Sequence, residues 1–409
     1  MSRSHSSLLV IGGTYAERCE FPRYEEVYGS GLRAASVLAN TGIEIKFRTV
    51  ANEEFERHAR LKSASFGFDL EVTQSDIGHR FWYLHTLAGG ELAPAPSTHV
   101  PSLTIDTECA LQFGMVDATA KIRAKSLVYD PQSPALPSSL LATGSIAERV
   151  AIVLNRREAF GLTGNKDISG AAQQIRRMDN ASVVVIKDGP RGAFVCDLSG
   201  ESWVPVFVTP RCFLLGSGDV FSAIFAREWA VKGAAPIEAA TAASVAAASW
   251  CDSTIIPLQE DIGEIGAIAK KFGQSPSRPR LYLAGPFFCA AQLWWVAHAR
   301  RVLTDLGFSV FSPYHDIGVA DLANADIAKQ DIAALKRCEV VFALLDGLDP
   351  GTLFEIGVAR THGIPVVGLR TEGSFGLHET MLQGTGCTLF DDFGSAAYHA
   401  FWAASGSEV

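Results

Sequence analysis

"LLDGLDPGTLFEIGVARTHG", residues 344–363, runs from an apolar segment through a turn into a helix-like segment, and among its acids Asp349 and Glu355 stand six positions apart. The overlapping "EVVFALLD" has the length and unbroken apolar character of a strand buried on both faces. Asp-Gly and Asp-Pro-Gly then mark turns, and a strand–turn–helix unit of this kind belongs to a parallel α/β sheet. Ligands of such sheets bind beyond the carboxyl ends of the strands. Glu355 is expected in the first turn of the following helix, where the dipole and free amides favour the charged carboxylate. An ionised carboxylate at that place suits a nucleophile.

Two further strand ends lie in the same region, "YLAGPFF" from Tyr282 and "SPYHD" from Ser312. In "ADIAKQDIAALKRC", Ile327, Asp331, Leu335 and Cys338 fall on one helical face, so Asp331 takes an apolar residue's place in a core-facing stripe. An unpaired charge there is costly, and a cavity holding a polar ligand accounts for it. Taken singly, Asp349 reads as a turn residue, Glu355 as a helix N-terminal charge and Tyr282 as core. Their order together carries the catalytic reading.

"LYLAGPFF", the aspartate of "KQDIAALKRCEVVFALLDG" and "DPGTLFEIGVA" resemble the nucleoside 2-deoxyribosyltransferase family over almost all of residues 279–390. The resemblance implies a flavodoxin-like fold and cleavage of the N-glycosidic bond of deoxynucleosides through a covalent glycosyl-enzyme; relatives hydrolyse deoxynucleotides. By position it makes Glu355 the nucleophile and Asp349 and Asp331 the acids that orient the sugar and handle the proton on the base. Tyr282, expected at the end of the first strand, positions the nucleophile. Gly285, Phe287 and Gly351 are the substrate contacts. The chemistry agrees, because an oxocarbenium-like transition state needs a carboxylate on the sugar and a second group to protonate the leaving base. Glu379 departs from the pattern, standing where the family often has an asparagine before its "MxxG"-like segment, here "MLQG". Base, sugar, and transfer against hydrolysis stay open.

The first two thirds of the chain alternate short β-rich runs with Ala-rich helical patterns; "SLLVIGG", "SLVYDP", "ERVAIVLN", "ASVVVIKDG" and "GAFVCDL" are the clearest strands. In "LLGSGDVFSAIFAREWA" a small-residue turn precedes a helix, so amides of Gly216, Ser217 and Gly218 form an expected anion hole, with Asp219 able to take a proton from a hydroxyl. Alone, "GSGD" reads as an ordinary N-cap. With "NRRE" (Asn155 to Glu158), "KDGPRGAFV" (Lys187, Gly189 and Gly192) and "YDPQSP", it resembles the PfkB/ribokinase family of sugar and nucleoside kinases over roughly residues 7–270.

That resemblance implies Asp219 as catalytic base, and Asn155 and Glu158 organising magnesium and phosphate, the glutamate acting on Mg2+ indirectly. Lys187, Gly189 and Gly192 fall in the ATP segment. Phe213-Leu214 replaces the family's Asp-Thr. The substrate segment reads "YGSGLRAAS", giving Gly29 and Arg33 as acceptor contacts, and Glu17 aligns with the early substrate aspartate. Glu17 is then a hydroxyl acceptor and Arg33 an anion ligand, or both are solvated charges.

The chain's 409 residues exceed what one core organises. The linker candidate is "GQSPSRPR", residues 273–280, which predicts domains at 1–275 and 279–409. Apolar residues make up 48% and charged ones 19%, as in globular soluble proteins, and a net charge of −9 gives no electrostatic case for nucleic acid or an anionic membrane. Eight cysteines without a CxxC pair fit reduced, buried thiols and argue against zinc. The apolar run at the start is too short for a signal peptide, and Pro236 and Glu238 break the Ala-rich stretch 233–250, so a cytoplasmic protein is expected.

The fold expectation is α/β throughout, a ribokinase-like domain followed by a flavodoxin-like parallel-sheet domain. The functional expectation is a fused enzyme using ATP and Mg2+ in one domain, acting on small-molecule nucleosides, nucleotides and sugars, and forming a homo-oligomer. The alternative is a single-activity N-glycosidase whose first domain is a non-catalytic nucleotide-binding or assembly module.

Overall fold

The computed structural model describes residues 7–132, 137–256, 258, 268–270, 278–318, 325–373 and 380–405; the centre of the expected linker, 273–277, and Glu379 lie outside them. The chain divides into two units, one of Met1–Cys19, Arg23–Tyr83 and Gly89–Gln274, the other of Glu20–Pro22, Leu84–Ala88 and Ser275–Val409.

In chain order the first strands are β1 (Ser7–Ile11), β2 (Ala16–Phe21), β3 (Tyr24–Val27), β4 (Glu44–Ala51), β5 (Asp69–Gln74), β6 (Arg80–His85) and β7 (Glu91–Ala93). They continue with β8 (Ser102–Phe113), β9 (Thr119–Asp130), β10 (Ile146–Asn155), β11 (Val183–Lys187), β12 (Ala193–Asp197) and β13 (Glu201–Val204). Nine of them form one sheet in the order β13-β12-β11-β10-β9-β8-β1-β4-β5. Its pairings are parallel except those of β12, which runs antiparallel to both neighbours. Strand periodicity divides the core: Leu8, Val10, Val153 and Val185 join one buried cluster with Leu32, Phe225 and Trp250, while Leu9, Ile11, Ile152 and Ile186 join another with Ala159, Ala171 and Ile175. Helices therefore cover both faces, which is why these strands read as unbroken apolar runs.

β3-β2-β6-β7 form a separate four-stranded sheet, and β14 (Val206–Val208) pairs antiparallel with β15 (Ile268–Lys270). The helix Gly29–Leu38 starts hard against the end of β1, where a Cβ on Gly12 would stand 2.7 Å from Gly31 Cα. That close approach explains the glycines of "YGSGL" as packing positions.

The second unit holds β16 (Arg280–Ala284), β17 (Ser309–Phe311), β18 (Val340–Leu344), β19 (Val366–Leu369) and β20 (Thr388–Phe390), all parallel, in the order β17-β16-β18-β19-β20. Counted within the unit, that order is 2-1-3-4-5, the flavodoxin-like arrangement, with its switch point between β16 and β18. Tyr282, Ala284, Val341 and Ala343 pack with Leu335, Ile356 and Ala359 on one face. On the other, Phe342 meets Phe393 of the helix Phe393–Ala404, with ring centroids 5.6 Å apart.

Candidate active sites

β18 ends at Leu344, and the helix Pro350–Thr361 begins after a short turn. Asp349 is its N-cap: Oδ2 accepts from the Thr352 amide at 2.7 Å and from Thr352 Oγ1 at 3.0 Å, with Pro350 at the first helical position. Glu355 is consequently the sixth residue of the helix and stands in its second turn, not its first. The free amides that were expected to hold it charged are out of reach. Burial instead pushes the Glu355 carboxyl up to about 7; the Tyr282 hydroxyl pulls it down, and the charges of Asp331 and Asp349 push it up further.

Tyr282 is the third of five residues in β16, mid-strand and not at the strand's end, and its ring is fully buried. Its hydroxyl donates to Glu355 Oε1 at 2.6 Å, and its ring stacks on Phe311 with centroids 5.6 Å apart. Burial and the neighbouring Glu355 push the phenol far above its ordinary value, so it remains a donor.

Asp331 lies on the helix Ala325–Leu335. Ile327 and Asp331 are partly buried and Leu335 fully so, while Asp326, Ala328, Lys329 and Gln330 are exposed. The core-facing stripe is real. Asp331 Oδ1 is buried with no hydrogen-bond partner among the described residues, and burial raises its pKa. Gly285 and Phe287 follow β16, and Phe287 packs against Phe288 and Tyr314 at centroid distances of 5.1 and 5.8 Å. Gly351 is the second residue of the helix after β18. The carboxyl ends of β16 and β18 thus bring Gly285, Phe287, Asp349, Gly351 and Glu355 to the switch point. Tyr314 was missed; its only sequence signal was the "SPYHD" strand end.

In the first unit, Asp219 is the third residue of the helix Ser217–Ala226, capped by Gly216 at φ 80°. Of the three expected anion-hole amides, that of Ser217 already donates to Leu214 O at 3.1 Å within the turn. Asp219 is buried, and both its oxygens are engaged: Arg33 Nη1 donates to Oδ2 at 2.5 Å and Gln132 Nε2 to Oδ1 at 3.0 Å. Arg33 Nη2 donates to Glu17 Oε2, and neither Arg33 nor Glu17 is a solvated charge.

Asn155 and Glu158 are committed to each other as a capping box, Asn155 Oδ1 accepting from the Glu158 amide at 3.0 Å and Glu158 Oε2 from the Asn155 amide at 2.8 Å. Burial, with Asp130 nearby, pushes Glu158 up to about 7. Lys187 turns inward, donating to Asp130 Oδ2 at 2.7 Å and to Ser222 Oγ at 3.3 Å. Gly189 opens and Gly192 closes the short turn after β11. Gly29 is the first residue of its helix. The cap uses one oxygen each of Asn155 and Glu158, the residues assigned to Mg2+, and among the described residues there is no group of three His, Cys, Asp or Glu that could hold a metal ion. Gln132 and Asp130 were not singled out beforehand, although "YDPQSP" contains both.

Residues 281–387 match the family model described as nucleoside 2-deoxyribosyltransferase, so such a domain occupies most of the C-terminal unit. No curated protein matches the chain. Among similar solved structures, phosphofructokinase-2 from Escherichia coli in complex with substrates and products shares 16% identity, covering 64% of this chain and 98% of that chain with a TM-score of 0.48. Fructokinase from Vibrio cholerae, in a form with fructose, ADP and calcium ion bound, shares 14% over 62% of this chain and 95% of that one, with a TM-score of 0.48. Ribokinase from Thermotoga maritima shares 13% over 63% and 98%, with a TM-score of 0.46.

Proposed function

We propose that the protein cleaves or transfers the N-glycosidic bond of deoxynucleosides or their monophosphates, with Glu355 as the nucleophile. The observation that carries this reading is the 2.6 Å hydrogen bond from the buried Tyr282 hydroxyl to Glu355 Oε1, which pins one oxygen and leaves the other for the anomeric carbon. A carboxyl at about 7 is partly ionised at neutral pH, and its anion is weakly solvated. Asp331, with its pKa raised by burial, supplies the proton. The carboxylate bonds to the sugar carbon, the bond to the base breaks with its electron pair on nitrogen, and the Asp331 proton goes to the base. Water, or a second base, then releases the sugar from Glu355 and the proton returns to Asp331.

The test is Glu355→Gln incubated with deoxynucleosides and deoxynucleoside monophosphates, with free base followed by mass spectrometry. Base release should fall at least ~10³-fold while ligand still binds. Turnover at the parent rate would contradict the reading.

A second reading gives the first unit ATP- and Mg2+-dependent phosphorylation of a sugar or nucleoside. It is supported by Asp219 at the head of a helix with Lys187 close behind it, Nζ standing 3.4 Å from Gly218 O. The ion pair on Asp219 opposes it. The domain boundary near 276, a cytoplasmic site of action and a homo-oligomer belong to the same proposal. The exposed Phe288, Phe354 and Met381 support an oligomer through the C-terminal unit. No helix among the described residues is long and apolar enough to cross a membrane.

A further inference from the structure

Arg33 has no exposed surface, although it carries a guanidinium. Its two terminal nitrogens donate to acids from distant parts of the chain, Glu17 on β2 and Asp219 on the helix Ser217–Ala226, the latter 186 positions away. The Tyr28 and Trp250 rings lie 5.3 and 5.4 Å from its central carbon. The backbone at Gly216 is fitted to it as well: a Cβ there would stand 2.3 Å from Arg33 Nε, and the φ of 80° already calls for glycine. Two carboxylates and two aromatic faces around one planar cation make the arrangement by which proteins recognise a guanidinium or ammonium ligand. Here the ligand is a side chain of the same molecule.

We infer that Arg33 is an internal occupant of the space in front of Asp219, and that the first unit, as built, admits no acceptor there and transfers no phosphate. The inference rests on the second reading above for one point only, that this space is where an acceptor hydroxyl would have to stand. A general base needs an oxygen free to approach that hydroxyl within about 2.6–3.2 Å. Both Asp219 oxygens already accept a side-chain hydrogen bond, Oδ2 from the fully buried Arg33 and Oδ1 from Gln132 at 3.0 Å, so a hydroxyl arriving there would have to share or displace these partners. Displacing Arg33 would strand a guanidinium among buried groups and leave Glu17 unpaired. The inward turn of Lys187 onto Asp130 and the mutual capping of Asn155 and Glu158 through one oxygen each fit the same condition, in which groups assigned to phosphate and metal have partners within the protein.

Two arms test this. In the first, the parent protein is given ATP, Mg2+ and a panel of sugars and nucleosides, and ADP is followed. No acceptor-dependent ADP above that of Asp219→Asn is expected. Acceptor-dependent ADP that Asp219→Asn abolishes would overturn the inference and leave the phosphoryl-transfer reading standing. In the second arm, Arg33→Ala is titrated with methylguanidinium by calorimetry and thermal shift. Saturable one-to-one binding with a rise in Tm is expected, absent from the parent and from Arg33→Ala/Glu17→Gln. A folded Arg33→Ala that binds no methylguanidinium would overturn the inference, because the space would then be no ligand cage. Should that variant fail to fold, the first arm decides on the parent alone. Silence in both arms would sink the acceptor-pocket reading together with the inference.

Discussion

Asp331 and Asp219 are both helical acids withdrawn from solvent at least in part, yet their oxygens are treated in opposite ways. Asp331 Oδ1 has no hydrogen-bond partner among the described residues, and Glu355 nearby takes a single side-chain hydrogen bond, from Tyr282. Asp219 has both oxygens bonded, and Glu17, Arg33, Asp130 and Lys187 are paired around it. The first cluster holds its carboxyls without a cation, in a state that a bound substrate would relieve. The second pairs its three acids with two cations of the protein itself. Unsatisfied acceptors cost stability, so a cluster whose carboxyl keeps one has a use for it, while a cluster whose carboxyls are paired contributes to the fold, although Arg33 Nε there has no partner among the described residues. This comparison supports the proposal that places the chemistry in the C-terminal unit.

The comparison breaks most plainly at Asp331. Asp331→Asn keeps the shape and removes the proton, so base release from deoxynucleosides should fall by roughly 10²–10⁴-fold, as for other general acids; an unchanged rate would make the orphan oxygen incidental. The matching substitution in the saturated cluster should act on stability. Arg33→Ala leaves two buried carboxylates unpaired and should cost about 3–5 kcal/mol in denaturant unfolding, and Arg33→Met, which keeps the volume but strands the same two acids, should still cost several kcal/mol. A loss below about 1 kcal/mol for Arg33→Ala would show a solvated pair.

The smallest effect sharpens the account of the first cluster. As the proposed nucleophile Glu355 would work ionised, and burial pushes its carboxyl up to about 7, so the rate of base release should rise with pH through that value. The Tyr282 hydrogen bond lowers this pKa, so Tyr282→Phe should move the rising limb to higher pH and cost about tenfold at neutral pH. A limb that stays in place would remove Tyr282 from the reaction. Stability runs the other way. A carboxyl whose folded pKa lies above its unfolded one destabilises the protein progressively as pH climbs from the ordinary carboxyl range to about 7.

Much of the architecture was legible because the strands are buried on both faces. "VVVIK" and "VVFAL" stand as β11 and β18 with little or no exposed surface, so burial is written into them residue by residue. β20, the three residues "TLF", and β2, "AERCEF", carry no such run, and only their neighbours make them strands. The C-terminal site was legible for a related reason. Gly285, Asp349 and Glu355 all lie within or beside short strand-end motifs, and two placements were misjudged: Tyr282 stands mid-strand, and the Asp349 cap begins the helix at Pro350 and carries Glu355 into the second turn. The pairing of Arg33 with Asp219 could not be read, since a contact across 186 positions leaves no periodicity. The same holds for Gln132, an unremarkable polar residue until the fold brings its amide to Asp219.

The most direct measurement is to incubate the protein with a 2-fluoro-arabinosyl nucleoside, which slows release of the sugar, and to map the adduct by peptide mass spectrometry. The account predicts one sugar on the peptide containing Glu355, with none formed by Glu355→Gln. A sugar attached to any other residue, or an adduct that persists in Glu355→Gln, would contradict it.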